Sequence, residues 1–449
     1  MQIKQWEDKN LSHFSYAVFS DCEKSLVLID PSRNPQPYLD FAKEHDAKII
    51  GIIETHPHAD FTSSHAELHR LTGAPIYVHS LLGALYEHIS FDEGSTISFG
   101  KIKLTSLHTP GHSPDSISIL LEHDGVQKAV FTGDTLFIGD CGRPDLREAA
   151  GHVQVSRQDL ARKMYHSLRD KLMSLNDDVL VYPAHGAGTL CGKNLSKESV
   201  STIGAEKQTN WSLQQATEEE FVANLLSDQP FVPFYFPFDV ELNRKGAPDF
   251  LQVVPAIKAE KILPQRAISS FDKGVWIIDV RSAEAFKNGH LIHSMNLMEH
   301  GKFETWLGSI IQPGEAFYIA GESAAQLNNI IERVAAIGYE EQVKAAFVVV
   351  TAAVQENPLD IATFNNQQEQ FTIVDVRNAT ERRQKLPFAN SIFIPLPELR
   401  QRVAELPVGK PIVVHCAGGY RSAAGASIIK EALNGNSVVY DLGEAVKNY

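Results

Sequence analysis

Short apolar runs recur along the first half of the chain, and each breaks into a turn rich in histidine, aspartate or glycine. AKIIGIIET over 47–55 predicts a buried strand that runs straight into HPHAD. KIKLTSL leads into HTPGHS, KAVFTG into Asp134, and DDVLVYPAHG sets His185 just past a further strand. Between them lie stretches with apolar residues at helical spacing. These are SSHAELHRLTG over 63–73 and SRQDLARKMYHSLRDKLMSL over 156–175, the latter with Ser156 suited to cap its start. Polar groups gathered beyond strand ends are how α/β proteins set reactive side chains on a rigid frame.

Past Trp211 the texture changes. TEEEFVANLLS reads as a helix with an acidic start, followed by QPFVPFYFPFDVELNRKG. The three prolines of that second stretch argue against a regular helix, so it reads as a boundary segment packed on the first domain rather than a pocket wall. The rest of the chain contains an internal repeat. VWIIDVRSAEAF (275–286) matches TIVDVRNATER (372–382), with Asp279 and Arg281 standing 96 residues before Asp375 and Arg377. The same offset lays EAFYIA (315–320) on PIVVHC (411–416), so Ala320 falls opposite Cys416. Two stretches sharing one offset predict two copies of a small α/β unit.

Length and composition narrow the class. At 449 residues the chain exceeds one typical core. A net charge of -14 without a basic block excludes nucleic acid as a main partner. No apolar run reaches the roughly 18 residues of a membrane span, and MQIKQWEDKN has no signal pattern. The four cysteines, Cys22, Cys141, Cys191 and Cys416, sit in unlike contexts. They predict no disulfide framework and a reducing cytoplasm, with Cys22 structural.

His56, His58 and Asp60 of HPHAD, with His112, Asp134 and His185, form a set delivered by separate strand ends, as metal sites usually are. THPHADF, HTPGHS, FTGD and YPAHG resemble the metallo-β-lactamase superfamily. TGDTLFIGDCGRPD resembles its persulfide dioxygenase branch, mononuclear non-haem iron enzymes that oxidise the sulfane sulfur of a small-thiol persulfide to sulfite. The hydrolase branch has HxHxDH, whereas Phe61 follows Asp60 here, and a phenyl ring ligates nothing. The resemblance therefore implies one Fe(II) ion on His56, His112 and Asp134, with His58, Asp60 and His185 orienting ligands and substrate. It moves Cys141 and Arg143 of GDCGRPD toward the site rim, where the bland readings are an inert core thiol and a structural ion pair. Cys191 is a candidate to line the substrate entrance or accept sulfur transiently.

PIVVHCAGGYRSAAGASIIKEAL predicts a strand, a tight loop and a helix beginning near Ser422. Backbone amides of the loop, the helix N-terminus and Arg421 would converge on Cys416 and favour its thiolate. Cys416, Gly419 and Arg421 match the Cys-x-x-Gly-x-Arg loop of rhodaneses, and Gly418 lies inside it. The middle copy has IAGESAAQL there and no cysteine, so it resembles the silent halves of tandem rhodaneses.

The expected architecture is an N-terminal αββα metallo-β-lactamase sandwich (1–250) followed by two α/β rhodanese-like domains, an inactive one at 258–355 and an active one at 360–449. The expected partners are a thiol persulfide, dioxygen, and sulfite or thiosulfate, with no nucleic acid and no membrane. A symmetric homo-oligomer is also expected. The competing readings are a zinc thioester hydrolase of the glyoxalase II type and a non-oxidative sulfur-relay scaffold.

Overall fold

Two six-stranded sheets hold the strands of the first half in the computed structural model, which describes residues 1–148, 151–260, 271–272, 274–350 and 354–449. The first sheet runs in chain order as β1 (Gln2–Asp8), β2 (His13–Ser20), β3 (Ser25–Ile29), β4 (Lys48–Ile53), β5 (Ile76–Val78) and β6 (Ile89–Ser90). Its first two pairs are antiparallel, and β3 to β6 are parallel. The second sheet orders β7 (Thr96–Phe99), β8 (Ile102–His108), β9 (Ile117–His123), β10 (Val126–Gly133), β11 (Leu180–Pro183) and β12 (Ser201–Thr202) as neighbours. Only β10 and β11 are parallel there.

Burial explains why the strands read as they do. All of β2, HFSYAVFS, is buried. Phe14, Tyr16 and Val18 meet the second sheet, while Ala17 and Phe19 meet helices, so β2 lacks the alternation of a half-exposed strand. Between the sheets, these residues with Val27, Ile29 and Ile53 pack on Leu104, Ile119, Leu121 and Phe131. Outside the first sheet lie α1 (Gln36–Glu44) and α2 (His65–Thr72), with Tyr38, Phe41 and Leu68 on Leu26, Leu28 and Ile52. Outside the second lie α3 (Arg157–His166), continued as a π-helical turn over Ser167–Leu172, then α4 (Ile203–Thr209) and α5 (Glu218–Leu226). Met164, Leu168 and Phe221 pack there on Leu120, Val130 and Val181. The layers are therefore helix, sheet, sheet, helix. Ser156 caps α3 by accepting from Asp159 N, as expected, and Thr217 with Glu220 forms a capping box on α5.

The proline-rich stretch corrects one expectation. It contains a helix, α6 (Tyr235–Lys245), followed by α7 (Phe250–Ala256). Pro237 lies in the first turn of α6, where a backbone N–H has no intrahelical acceptor, so the missing donor costs little. Pro230 and Pro233 precede the helix.

The described residues divide into two compact units, 1–253 with 335–338, and 254–334 with 339–449. In the second unit, β13 (Ala259–Glu260), β14 (Ile277–Asp279), β15 (Ser294–Asn296), β16 (Phe317–Gly321) and β17 (Val343–Val348) form a parallel sheet ordered β13-β17-β16-β14-β15. Around it run α8 (Ala283–Asn288), α9 (Phe303–Ile310) and α10 (Ala324–Ala336). A second parallel sheet follows, with β18 (Thr372–Asp375), β19 (Ile392–Phe393), β20 (Ile412–His415) and β21 (Val439–Asp441) ordered β19-β18-β20-β21. Its helices are α11 (Ile361–Asn366), α12 (Ala379–Gln384), α13 (Leu396–Arg402) and α14 (Tyr420–Leu433).

The two sheets share one order, β15-β14-β16-β17 against β19-β18-β20-β21. Arg281 Nη2 donates to Asp279 Oδ2 at 2.6 Å, and Arg377 repeats the contact on Asp375 at 2.7 Å. The register shifts the repeat by one residue, however. Asp279 pairs with Ala320, but Asp375 pairs with His415, so Gly321 and not Ala320 stands opposite Cys416. A constant sequence offset carries past a one-residue deletion between strands, whereas pairing exposes it. Among the described residues no helix is long and apolar enough to cross a membrane.

Candidate functional site

The carboxyl ends of β3, β4, β10 and β11 deliver a buried cluster in the first unit. Asp30 follows β3, His56 follows β4, Asp134 follows β10, and His185 follows β11. His112 lies in the loop between β8 and β9. One ligand atom from each of His56, His112 and Asp134 lies within 4.8 Å of the others, and all three residues are buried. His112 Nε2 is 3.5 Å and His56 Nε2 is 3.9 Å from Asp134 Oδ2. A second trio, His58, Asp60 and His185, meets the same distance limit.

The hydrogen bonds around these groups fix which atoms face inward. His56 Nδ1 is 3.0 Å from Thr55 Oγ1, whose hydroxyl donates to Asp30 Oδ2 at 2.8 Å. The His56 Nδ1–H therefore donates to Thr55, leaving the Nε2 lone pair for a ligand. His58 Nε2 is 3.1 Å from Asp30 Oδ1. His185 Nδ1 lies 3.2 Å from Ser12 O, which turns Nε2 toward Asp134 Oδ1 at 3.4 Å and Asp60 Oδ1 at 3.5 Å. Both oxygens of Asp134 and Oδ1 of Asp60 are buried without a hydrogen bond. Bare carboxylate oxygens in a dry pocket are costly alone and fit a cation.

Burial, reinforced by neighbouring histidines, holds His56 well below the ordinary histidine range. It lowers His112 as well. Neutral imidazoles are the ligating form. Burial also opposes charge on His185, but the Asp60 and Asp134 carboxylates outweigh it and raise that residue.

Several residues outside the motif hold it in place. Asn243 of α6 donates from Nδ2 to His58 O and Phe61 O, both at 2.8 Å, and accepts from Ser63 N at 2.8 Å. Arg147 meets Asp115 at 2.8 Å in a buried ion pair, and Ser113 Oγ donates to that carboxylate. Phe61 is buried, its ring 3.8 Å from that of His13 and 4.3 Å from that of His58. Asp30, Thr55, His13 and Asn243 carry no local motif.

The remaining candidates separate. Cys191 Sγ shares the 4.8 Å neighbourhood of Asp134 and His185, so it lies at the metal cluster. Cys141 instead packs with Leu136, Met164 and Leu168. Burial pushes both thiols well up. Arg143, which the resemblance moved toward the site rim, has its fork bidentate to Asp145, with both bonds at 2.7 Å. It also donates to Leu190 O and Pro230 O. Cys22, expected to be structural, is exposed.

In the second unit Cys416 directly follows β20, and its thiol is buried. Gly419 N donates to Sγ at 3.1 Å, and Ser422 Oγ lies 3.7 Å from it. Gly419 has φ +96°, and a Cβ there would meet Glu444 N at 2.9 Å, so only glycine turns the loop this way. α14 begins at Tyr420, two residues earlier than expected, which puts Arg421 in its first turn. Arg421 was expected to add free positive charge beside the sulfur. Its guanidinium is instead bidentate to Glu381, at 2.5 and 2.6 Å, so the backbone donor seen on the sulfur is the Gly419 N–H of the loop. Gly418 lies half-buried at the loop surface.

Comparison with known proteins agrees with both halves. The profile of the metallo-β-lactamase superfamily matches residues 10–185, and that of the rhodanese-like domain matches 361–449. The mitochondrial persulfide dioxygenase of Homo sapiens is 29% identical over 220 residues, covering 48% of this chain and 78% of its own. The hydroxyacylglutathione hydrolase of Haemophilus influenzae is 28% identical over 211 residues, covering 42% and 88%. A crystal structure described as a metallo-beta-lactamase from Staphylococcus aureus is 30% identical with a TM-score of 0.68, covering 78% of this chain and 98% of its own. The chain is thus a member of the metallo-β-lactamase superfamily that carries a rhodanese-like domain over residues 361–449.

Proposed function

We propose that the chain is a persulfide dioxygenase joined to a sulfurtransferase, built as a metallo-β-lactamase domain (1–250), an inactive rhodanese-like domain (258–355) and an active one (360–449). Of the middle segment, residues 261–270, 273 and 351–353 lie outside the described residues. The overall oxidation is R–S–SH + O2 + H2O → R–SH + H2SO3. A single non-haem iron on His56, His112 and Asp134 would supply the activation of dioxygen, two histidines and one carboxylate being the donor set that leaves positions open. Phe61 is the observation that carries the reading. It fills the place beside Asp60 with a ring packed on His13 and His58, in a pocket where a two-metal hydrolase needs another donor.

The chain's own groups do the rest. The Asp30–Thr55 hydrogen bond holds His56 in the tautomer that frees Nε2. Asp60 and His185 stand beside Asp134 to position substrate or a proton. Cys191 lines the same pocket. The 29% identity to a persulfide dioxygenase supports the same assignment.

At the second centre the Cys416 thiolate attacks a sulfane sulfur. Cys–S⁻ + R–S–SH → Cys–S–SH + R–S⁻ forms one S–S bond and breaks another. Sulfite then takes the sulfur, Cys–S–S⁻ + SO3²⁻ → Cys–S⁻ + S2O3²⁻, and both steps are reversible. The middle copy lacks this chemistry, because Gly321 stands opposite Cys416 and offers no thiol.

Metal content and oxygen uptake test the reading, with a small-thiol persulfide supplied anaerobically before air is admitted. One iron per chain, persulfide-dependent uptake and sulfite are expected. Acyl-thiol hydrolysis on zinc without oxygen uptake would overturn it. Cys416→Ser separates the centres, since thiosulfate-linked transfer should vanish while uptake persists.

A further inference from the structure

The loop around Cys416 rests on a segment that belongs to the middle copy. Tyr420, the fifth residue of the loop, donates its hydroxyl to Met298 O at 2.9 Å. Its ring lies against Gly301, where a Cβ would come within 3.1 Å of it. The next residue, Arg421, presents its guanidinium to Trp306 of α9, with Cζ 5.2 Å from the ring centroid, while Glu381 holds its donors. Trp306 is buried. Two successive loop residues are thus held by three points within 298–306.

That segment is itself clamped. Arg333 of α10 is bidentate to Glu304, at 2.5 and 2.7 Å, and donates to Glu299 O at 2.6 Å. Arg400 of α13 reaches across to Glu315 and to Ile310 O, the last residue of α9. A copy with no cysteine therefore retains a buried polar network whose output is the position of the segment beneath the other copy's loop.

We propose that residues 298–306 of the middle copy are a positioning wall for Cys416, with Trp306 as its principal positioning residue. Trp306 fixes the Arg421–Glu381 pair by cation–π contact. Met298 O fixes Tyr420. Together they hold the start of α14, and with it the Gly419 amide, on the sulfur. The proposal rests on the reading of Cys416 as the sulfur-transfer thiol.

The test uses the full metal-loaded chain, with sulfur transfer from thiosulfate to cyanide and the pH dependence of Cys416 alkylation by iodoacetamide. Trp306→Ala should slow transfer by roughly five- to thirtyfold, the span from an exposed to a desolvated cation–π contact. It should also move the alkylation profile to higher pH and leave persulfide-dependent oxygen uptake unchanged. Trp306→Phe, which keeps an aromatic face, should recover most of the rate, and Tyr420→Phe should give a smaller fall. Transfer within twofold of the unmodified protein and an unmoved alkylation profile in both Trp306→Ala and Tyr420→Phe would overturn the wall. So would a Trp306→Phe protein as impaired as Trp306→Ala with an equal drop in melting temperature, which is loss of packing alone. If Cys416→Ser still transfers sulfur, it is the reading of Cys416 that fails.

Discussion

Thr55→Val probes the metal centre without touching a proposed ligand. Valine keeps the volume and branching of threonine and removes one oxygen. That oxygen donates to Asp30 Oδ2 at 2.8 Å and receives His56 Nδ1–H at 3.0 Å, and all three residues are buried. Asp30 keeps its bond from Thr55 N at 2.7 Å, so its carboxylate is only partly stripped. His56 Nδ1–H is left with no acceptor, at a cost of about 1–3 kcal/mol for a buried donor. Because the same bond fixes the ring for ligation, most of that cost falls on the metal-bound state. This corresponds to a roughly 10–100-fold loss of metal affinity, the usual effect of removing an outer-shell partner. Competition against a chelator of known affinity, with Fe(II) and then Zn(II), measures it. Thr55→Ser retains the hydroxyl and should stay near the unmodified protein. Unchanged affinity in Thr55→Val, or equal loss in Thr55→Ser, would refute the relay from Asp30 through Thr55 to His56.

Three further outcomes are expected. Gly142→Ala places a Cβ 1.9 Å from Asp134 O, a clash with backbone that no rotamer relieves, so metal content should collapse while thiosulfate-linked transfer at Cys416 persists. Removing the metal with a chelator should end oxygen uptake and lower the first unit's melting temperature, in line with the roughly 2.7 kcal/mol that a ligand at one hundred times its Kd contributes; calorimetry with and without metal checks this. Burial, with His58 and Arg33 adding to it, holds His65 down to about 3, below its ordinary 6.5. The unfolded chain therefore takes up that proton first, so this stability is complete above pH 6.5 and falls by about 1.4 kcal/mol per unit as pH drops toward 3. His65→Gln should flatten the slope of unfolding free energy against pH between 6.5 and 4 by that amount.

What the sequence made legible follows from how far apart the interacting residues lie. His56, His112, Asp134 and His185 each sit a few residues past an apolar strand, so a local pattern places each at one sheet edge, where the fold gathers them. Asp30, Thr55 and Asn243 act through partners chosen by the fold. Asn243 meets His58 across 185 residues, and no periodicity marks that pairing. Arg143 shows the opposite lesson. Its partner Asp145 stands two residues on in the same GRPD turn, and the structure shows the short-range ion pair that was the bland alternative to a place at the rim. The repeat was legible as a shared sequence offset but not in register, because pairing between β18 and β20 absorbs a one-residue difference that an offset cannot record.

Phe61 shows why a single substitution can change how many ions a pocket accepts. Losing a histidine donor at that position would by itself leave a hole beside Asp60. The phenyl ring closes it, stacking on His13 at 3.8 Å and His58 at 4.3 Å. Phe61 O is meanwhile pinned by Asn243 of α6, and Asp30 Oδ1 lies 3.1 Å from His58 Nε2. On the His58–Asp60–His185 side the Phe61 ring packs against a candidate ligand, and burying it is worth roughly 1.5–3 kcal/mol. On the other side both oxygens of Asp134 and Nδ1 of His112 are buried without a hydrogen bond, as are Asp60 Oδ1 and His185 Nε2 on the first. The two halves of the pocket thus differ by the packed ring of Phe61 rather than by the supply of bare ligand atoms, and Cys191 lies within reach of Asp134 and His185.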